Sequence, residues 1–167
     1  MSNPLVILCP GQGAQALGMG KPWFDASPEA RDVFARADKQ LGNRLGAPLS
    51  AFCFEGPAER LNQTDVSQPA IYTAGYAAWR GLLSKWSFGN GEIPLAAAAG
   101  LSLGEYTALA VAGAVSFEEG LELVTLRGRA MQDAAEASPG GMVALIGADE
   151  DQAVQVCEKA RGGDVLV

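Results

Sequence analysis

Histidine is absent from all 167 residues. That excludes a His-ligated metal site, an imidazole general base and any complete Ser-His-Asp or Cys-His constellation within the chain. Cysteine is scarce: Cys9, Cys53 and Cys157 are too few and too scattered for a disulfide framework or a zinc knuckle. Reduced, buried thiols are expected, as suits a cytoplasmic protein. Positive charge is also short, with 12 Lys+Arg against 19 Asp+Glu and a formal net charge of -7. This argues against a nucleic-acid surface and against an anionic membrane surface. No apolar run approaches the roughly 18 residues of a membrane span, and the first residues lack the basic region of a signal peptide. What remains is a globular composition, 49% hydrophobic and 19% charged, with 21 glycines. The length suits one domain, or one domain and part of another.

Strand and helix patterns alternate. Leu5–Cys9 is a short apolar run ended by Pro10, as a strand buried on both faces would be. A glycine-rich loop follows, Gly11 to Gly18. Pro28 to Leu41 is expected to be helical, with Ser27 as N-cap and Gly42 as stop. Gly56-Pro57 opens a short helix to about Asn62, Gln63 to Ser67 is expected as polar loop, and Pro69 to Lys85 as a longer helix. Ile93 to Ala99 suits a second buried strand. Leu103 to Ala112 is helical, and the capping box Ser116-x-x-Glu119 opens a helix to about Ala137. Met142 to Ile146 and Asp164 to Val167 are strand candidates flanking a helix from Asp149 to Arg161. Such alternation predicts an α/β architecture with a mainly parallel sheet.

Two loops could carry chemistry. Gly100-Leu101-Ser102-Leu103-Gly104 is a G-x-S-x-G between an apolar run and a helical pattern, the context of a nucleophile elbow. The serine oxygen would be exposed at the positive end of the new helix. The plain alternative is a glycine-rich turn with a helix-capping serine. Gly11-x-Gly13-x-x-Ala16 fits the dinucleotide fingerprint, but no acid-ended strand follows roughly 20 residues on; a tight turn, or a loop offering backbone N–H groups to a ligand oxygen, fits better. Arg127 shares an apolar helical line with Leu123, Ala130 and Ala134. Pattern alone favours a snorkelling side chain over one that pairs a carboxylate. Arg129 lies roughly opposite and is expected to be solvated. Glu105 suits an ordinary first-turn acid.

Pro10 to Gln15, Gln63-Thr64, Ser67 to Ala70, Gly100 to Tyr106 and Leu126 to Gln132 occur in an order and spacing that closely resemble the malonyl-CoA:acyl carrier protein transacylases. The resemblance runs from about Leu5 to the C-terminus. It implies an α/β-hydrolase-like large domain over 1–138 and the start of a ferredoxin-like small subdomain over 139–167. It implies that Ser102 is the nucleophile, that the backbone N–H groups of Gln12 and Leu103 form an oxyanion hole, and that Arg127 pairs the free malonyl carboxylate. It implies malonyl-CoA as substrate, acyl carrier protein as partner, and no cofactor and no metal.

Two departures stand out. Leu101 occupies the position where the family usually has a histidine before the serine, and a local repacking is expected there. The family's catalytic histidine lies downstream of the arginine helix, on a stretch that this chain does not contain; family chains are about double this length. The apolar ending Asp-Val-Leu-Val is expected to be a strand interrupted midway. Other readings are a non-catalytic fragment that binds acyl carrier protein or CoA, a serine esterase of α/β-hydrolase type, and, weakest, a dinucleotide-binding module.

Overall fold

The computed structural model describes residues 4–86, 93–138, 143 and 145–163. The chain forms two compact units, Met1–Ala137 and Ser138–Val167. In the first, β1 (Leu5–Cys9) pairs in parallel with β2 (Leu95–Gly100), and Cys9 faces Gly100 in the register. Parallel strands cannot be joined by a tight turn, and the connection runs through α1 (Lys21–Ala26), α2 (Pro28–Leu41), α3 (Leu49–Phe54), α4 (Ala58–Leu61) and α5 (Thr64–Lys85). After β2 come α6 (Leu103–Val111) and α7 (Phe117–Ala137). The expected α/β class is observed, with a sheet of two strands among the described residues.

The strands are not buried on both faces as expected. Leu5 and Ile7 pack against Trp79, Leu82, Ala108 and Val111 of α5 and α6, whereas Val6 and Leu8 are 53% and 78% exposed. Helices cover only one face of the described sheet. The apolar run therefore has a strand's composition without the second cover that such a composition usually signals.

α5 is the central helix. Every residue from Asp65 to Ala74 is buried. Against it lie α2, through Val33, Phe34 and Ala37, and α7, through Phe117, Leu121 and Val124. The Tyr72 ring stacks on Phe117, and its hydroxyl donates to the Phe117 carbonyl at 3.1 Å. Gly120 makes room for that hydroxyl, since a Cβ there would lie 2.1 Å from it.

The caps of α2 form as expected. Ser27 Oγ accepts from Ala30 N at 3.3 Å, and Gly42 ends the helix with φ 52°. The Ser116–Glu119 box also forms, with Glu119 Oε2 accepting from Ser116 N at 2.9 Å. α1 and α3 go unseen in the sequence because six residues are too few to display a helical period.

The start of α5 corrects the sequence expectation. Gln63 to Ser67 is not loop; the helix begins at Thr64, and Pro69 lies inside it. Proline there removes a bond to the Asp65 carbonyl, at a cost of about 3 kcal/mol in an ordinary helix interior. Groups outside the helix support this first turn. Arg60 donates to both Asp65 carboxylate oxygens at 2.6 and 2.8 Å, and Gln132 Oε1 of α7 accepts from Thr64 N at 3.0 Å. Tertiary contacts thus override a polar, proline-bearing local sequence.

The second unit contains α8 (Glu150–Ala160). Its N-cap is a capping box in which Asp149 Oδ1 accepts from Gln152 N at 2.8 Å and Gln152 Oε1 from Asp149 N at 3.1 Å. Of the expected strand Met142–Ile146, Met142 and Ala144 lie outside the described residues and Ile146 is in a turn. The expected strand Asp164–Val167 lies outside them altogether. No helix among the described residues is long and apolar enough to cross a membrane.

The Arg60 hydrogen bonds hold the Asp65 carboxyl below the usual carboxylate range. Its stabilisation is therefore present above the unfolded-state pKa and lost as pH falls through the folded one. Asp65→Asn is expected to lower the unfolding free energy by about 1–3 kcal/mol at pH 7. The deficit should shrink below about pH 4, where the unfolded aspartate also takes up its proton. Urea unfolding at both pH values measures this; equal stability at pH 7 would show that the pair contributes nothing.

Candidate active site

Because Cys9 faces Gly100, the loops after β1 and β2 leave the sheet side by side at its carboxyl end. This is the edge at which open α/β sheets bind ligands. The two loops are pressed together. A Cβ at Gly104 would lie 2.2 Å from the Cys9 carbonyl oxygen, and one at Gly11 would lie 2.9 Å from the Leu101 carbonyl oxygen. A Cβ at Gly100 would sit 2.2 Å from the backbone of Gly104. Only glycine permits this turn from strand to helix.

Ser102 sits at the apex with φ 54° and ψ -112°, the one non-glycine residue with positive φ among those described. Such a conformation costs about 1–3 kcal/mol and persists only where the surroundings enforce it. Although Ser102 is the N-cap of α6, its side chain makes no capping bond, so the helix-capping alternative does not hold. Its hydroxyl instead accepts from Arg127 Nη2 at 2.9 Å. Leu103, the first residue of α6, is buried and carries one of the helix's orphan N–H groups. Among the described residues neither that N–H nor that of Gln12 takes a partner. Leu101 is 84% exposed rather than repacked; among the described residues its carbonyl is engaged, accepting from Gly104 N at 2.9 Å.

Arg127 does not snorkel. Its guanidinium spans the site, donating from Nη1 to Gln68 Oε1 at 2.7 Å and lying 5.8 Å from the Tyr106 ring centre. No carboxylate pairs with it among the described residues. By contrast, the exposed Arg129 pairs with Asp133 at 2.9 Å, as expected of a solvated residue.

Gln68 is the site residue that the sequence did not single out for a role. It is fully buried on α5. Besides accepting from Arg127, its amide donates to Met131 Sδ at 3.1 Å and, at a long 3.5 Å, to Gln12 Oε1. A buried glutamine needs partners for both ends of its amide, and here those partners are the other site residues. The available signal was an uncharged polar residue in an otherwise buried helical segment. Gln12 in turn donates to Thr64 Oγ1 at 3.2 Å. The structure thus brings together all four residues singled out in the sequence, Gln12, Ser102, Leu103 and Arg127.

The dinucleotide reading falls away. The strand that a dinucleotide fold would need lies where α2 runs. Cys9, beside the elbow, has its thiol pushed up by burial and is a poor nucleophile at neutral pH. Among the described residues no group of Cys, Asp and Glu is placed to hold a metal.

Known proteins give the same picture. An acyl transferase domain family matches residues 6–164. The malonyl CoA-acyl carrier protein transacylase of Salmonella typhimurium is 41% identical over 157 residues, covering 94% of this chain and 48% of its own length. Among solved structures, a malonyl-CoA:acyl carrier protein transacylase of Xanthomonas oryzae superposes with a TM-score of 0.79 at 41% identity, over 94% of this chain and 47% of that one. A malonyl-transacylase in complex with its type II PKS acyl-carrier protein gives 0.78 at 36% identity, over 98% and 50%. The chain spans about half the length of the curated relatives it matches. With the family match extending over nearly the whole chain, a strained serine facing an unpaired arginine falls into place: the chain belongs to the acyl transferase domain family.

Proposed function

We propose that this protein transfers a malonyl group from malonyl-CoA to the phosphopantetheine thiol of an acyl carrier protein, through an ester on Ser102. The observation that carries this reading is Arg127, a cation held 2.9 Å from the Ser102 hydroxyl with no carboxylate of its own among the described residues. A neutral acyl group gains nothing from such a neighbour. An acyl group ending in a free carboxylate gains a planar, bidentate partner. The names of the relatives support the same substrate and the same acceptor.

The reaction divides into two displacements. Ser102 Oγ attacks the thioester carbonyl, a C–O bond forms, and the C–S bond to CoA breaks. The carrier's thiol then attacks the ester, and Ser102 Oγ leaves. In each half the carbonyl oxygen becomes an oxyanion. The N–H groups of Gln12 and Leu103 receive it, and such donors are worth about 2.7–4 kcal/mol each when deleted. As the carboxylate arrives, Arg127 exchanges the serine hydroxyl for two carboxylate oxygens. Gln68 keeps the fork in place, and Ser102 is freed to react. The chain holds no imidazole, so the serine proton passes to a group outside these 167 residues. The resemblance assigns that role to a histidine downstream of α7.

Malonyl-CoA is expected to add one malonyl group, at Ser102, visible by intact mass and absent from Ser102→Ala; an adduct that persists in the variant would overturn the assignment. Arg127→Ala is expected to slow malonyl transfer about 100-fold, the loss of one charge-assisted pair. Acetyl transfer should change much less, and equal losses for the two acyl groups would make the arginine structural. The 167-residue polypeptide alone is expected to acylate Ser102 only slowly, with imidazole in the buffer accelerating the step. Fast acylation without imidazole would show that the chain supplies its own base.

A further inference from the structure

The loop that carries Gln12 is seated on one short segment, residues 62–64. Gln12 Nε2 donates to Thr64 Oγ1 at 3.2 Å, and Gln15 Nε2 donates to Asn62 Oδ1 at 3.0 Å. The free oxygen of Gln15 then accepts from Gly13 N at 2.8 Å, which closes the loop on itself. The segment beneath is thus one of the anchors of the Gln12 backbone, beside the contact of Gly11 with Leu101 and the long bond from Gln68.

Within that segment the Asn62 and Gln63 amides bond back to α4, and the Thr64 amide is the one left without a partner from its own helix. The segment joins α4, a single short turn, to the first turn of α5. The N-cap of α5, Gln63, makes no side-chain capping bond, and Pro69 weakens the next turn. The missing cap comes from another helix. Gln132 of α7 reaches across, and its Oε1 accepts from Thr64 N at 3.0 Å, while its Nε2 donates to Glu136 Oε1 at 3.0 Å. One turn earlier on α7, Gly128 lets the helices touch, since a Cβ there would lie 2.7 Å from the Thr64 carbonyl oxygen. Gln132 thus bonds the N–H of the same residue whose hydroxyl holds Gln12.

We propose that Gln132 is a positioning residue for the oxyanion site: it caps α5 from outside and so holds Thr64, Thr64 holds the Gln12 side chain, and the Gln12 N–H stays aimed at the carbonyl oxygen of the acyl group. Gln132 touches no substrate. It acts on the position of the oxyanion donor and leaves carboxylate binding to Arg127, which hangs from Gln68. This rests on the role given to the Gln12 N–H in the transfer reaction above.

Three variants of the intact protein test it, by amide hydrogen exchange and by the rate of Ser102 acylation with malonyl-CoA. Gln132→Leu removes the acceptor and is expected to expose the Thr64 amide, to raise exchange across residues 11–15, and to lower kcat about 10- to 100-fold with KM within about twofold. Gln132→Glu combined with Glu136→Gln keeps an acceptor oxygen at the same place without setting two carboxylates together, and is expected to restore both the protection and most of the rate. Thr64→Val removes only the hydroxyl; it should loosen residues 11–15 without exposing its own amide, and adding Gln132→Leu should cost little more. Unchanged exchange in the loop of Gln132→Leu, a rise in KM without a fall in kcat, or losses that multiply in the double variant would each overturn the proposal. If the wild type is not acylated at all, the transfer reading fails while the exchange data still decide whether Gln132 positions the loop.

Discussion

The closeness of α6 to the end of β1 is the constraint from which the site follows. At Gly104 the helix backbone meets the Cys9 carbonyl so tightly that no side chain fits. That contact drags the start of α6 under the first loop. It forces the chain to reverse over Gly100 to Ser102, and it leaves Ser102 with a positive φ and an outward hydroxyl. The strain there is tolerable because both ends of the turn are anchored, one in the sheet and one in a helix. The same contact brings the head of α6, with its orphan N–H groups, against the first loop that carries Gln12. Under the proposed transfer, the serine and the two N–H groups that would receive the oxyanion are products of one packing event.

Around that event the molecule uses amides where other sites use charges. Gln12, Gln68, Gln132 and Thr64 join the first loop, α5 and α7 through neutral hydrogen bonds. The charged pairs lie away from the serine. Arg44 binds Glu122 in a fork, Arg36 meets Glu118, and Arg60 holds Asp65. Those pairs fasten α2 and the turn after it to α7, and α4 to α5, and the exposed ones contribute little individually. In a chain of net charge -7, a guanidinium beside Ser102 with no acid paired to it among the described residues is a placed charge.

How far the sequence disclosed this depended on the range of the interactions. The strand at Leu5, the capped helix from Pro28, the box at Ser116 and the elbow at Ser102 are each written within a few consecutive residues, and each is where the sequence puts it. Arg127 is different: its helical line was apolar, so local pattern pointed to a snorkelling side chain, and only the resemblance to the transacylases implied a carboxylate partner; its bond to Ser102 became visible in the structure. The start of α5 could not be seen locally at all. Its polar residues look like a loop because their partners, Arg60, Gln132, Arg127 and Gln12, come from other elements. Gln68 escaped notice for the same reason, since its burial is a property of the assembled helices.

Gln68 also sets what the site has an appetite for. An amide oxygen holds the Arg127 guanidinium in orientation while leaving its full charge uncancelled. A carboxylate in the same place would hold it as well and neutralise it. Selectivity for a charged acyl tail would then depend on the difference between an NH2 group and an oxygen, on the residue that holds the arginine. Under the proposed transfer, an acyltransferase of this build could turn from acidic to neutral acyl groups by an exchange at this second remove, with serine, oxyanion donors and arginine all unchanged.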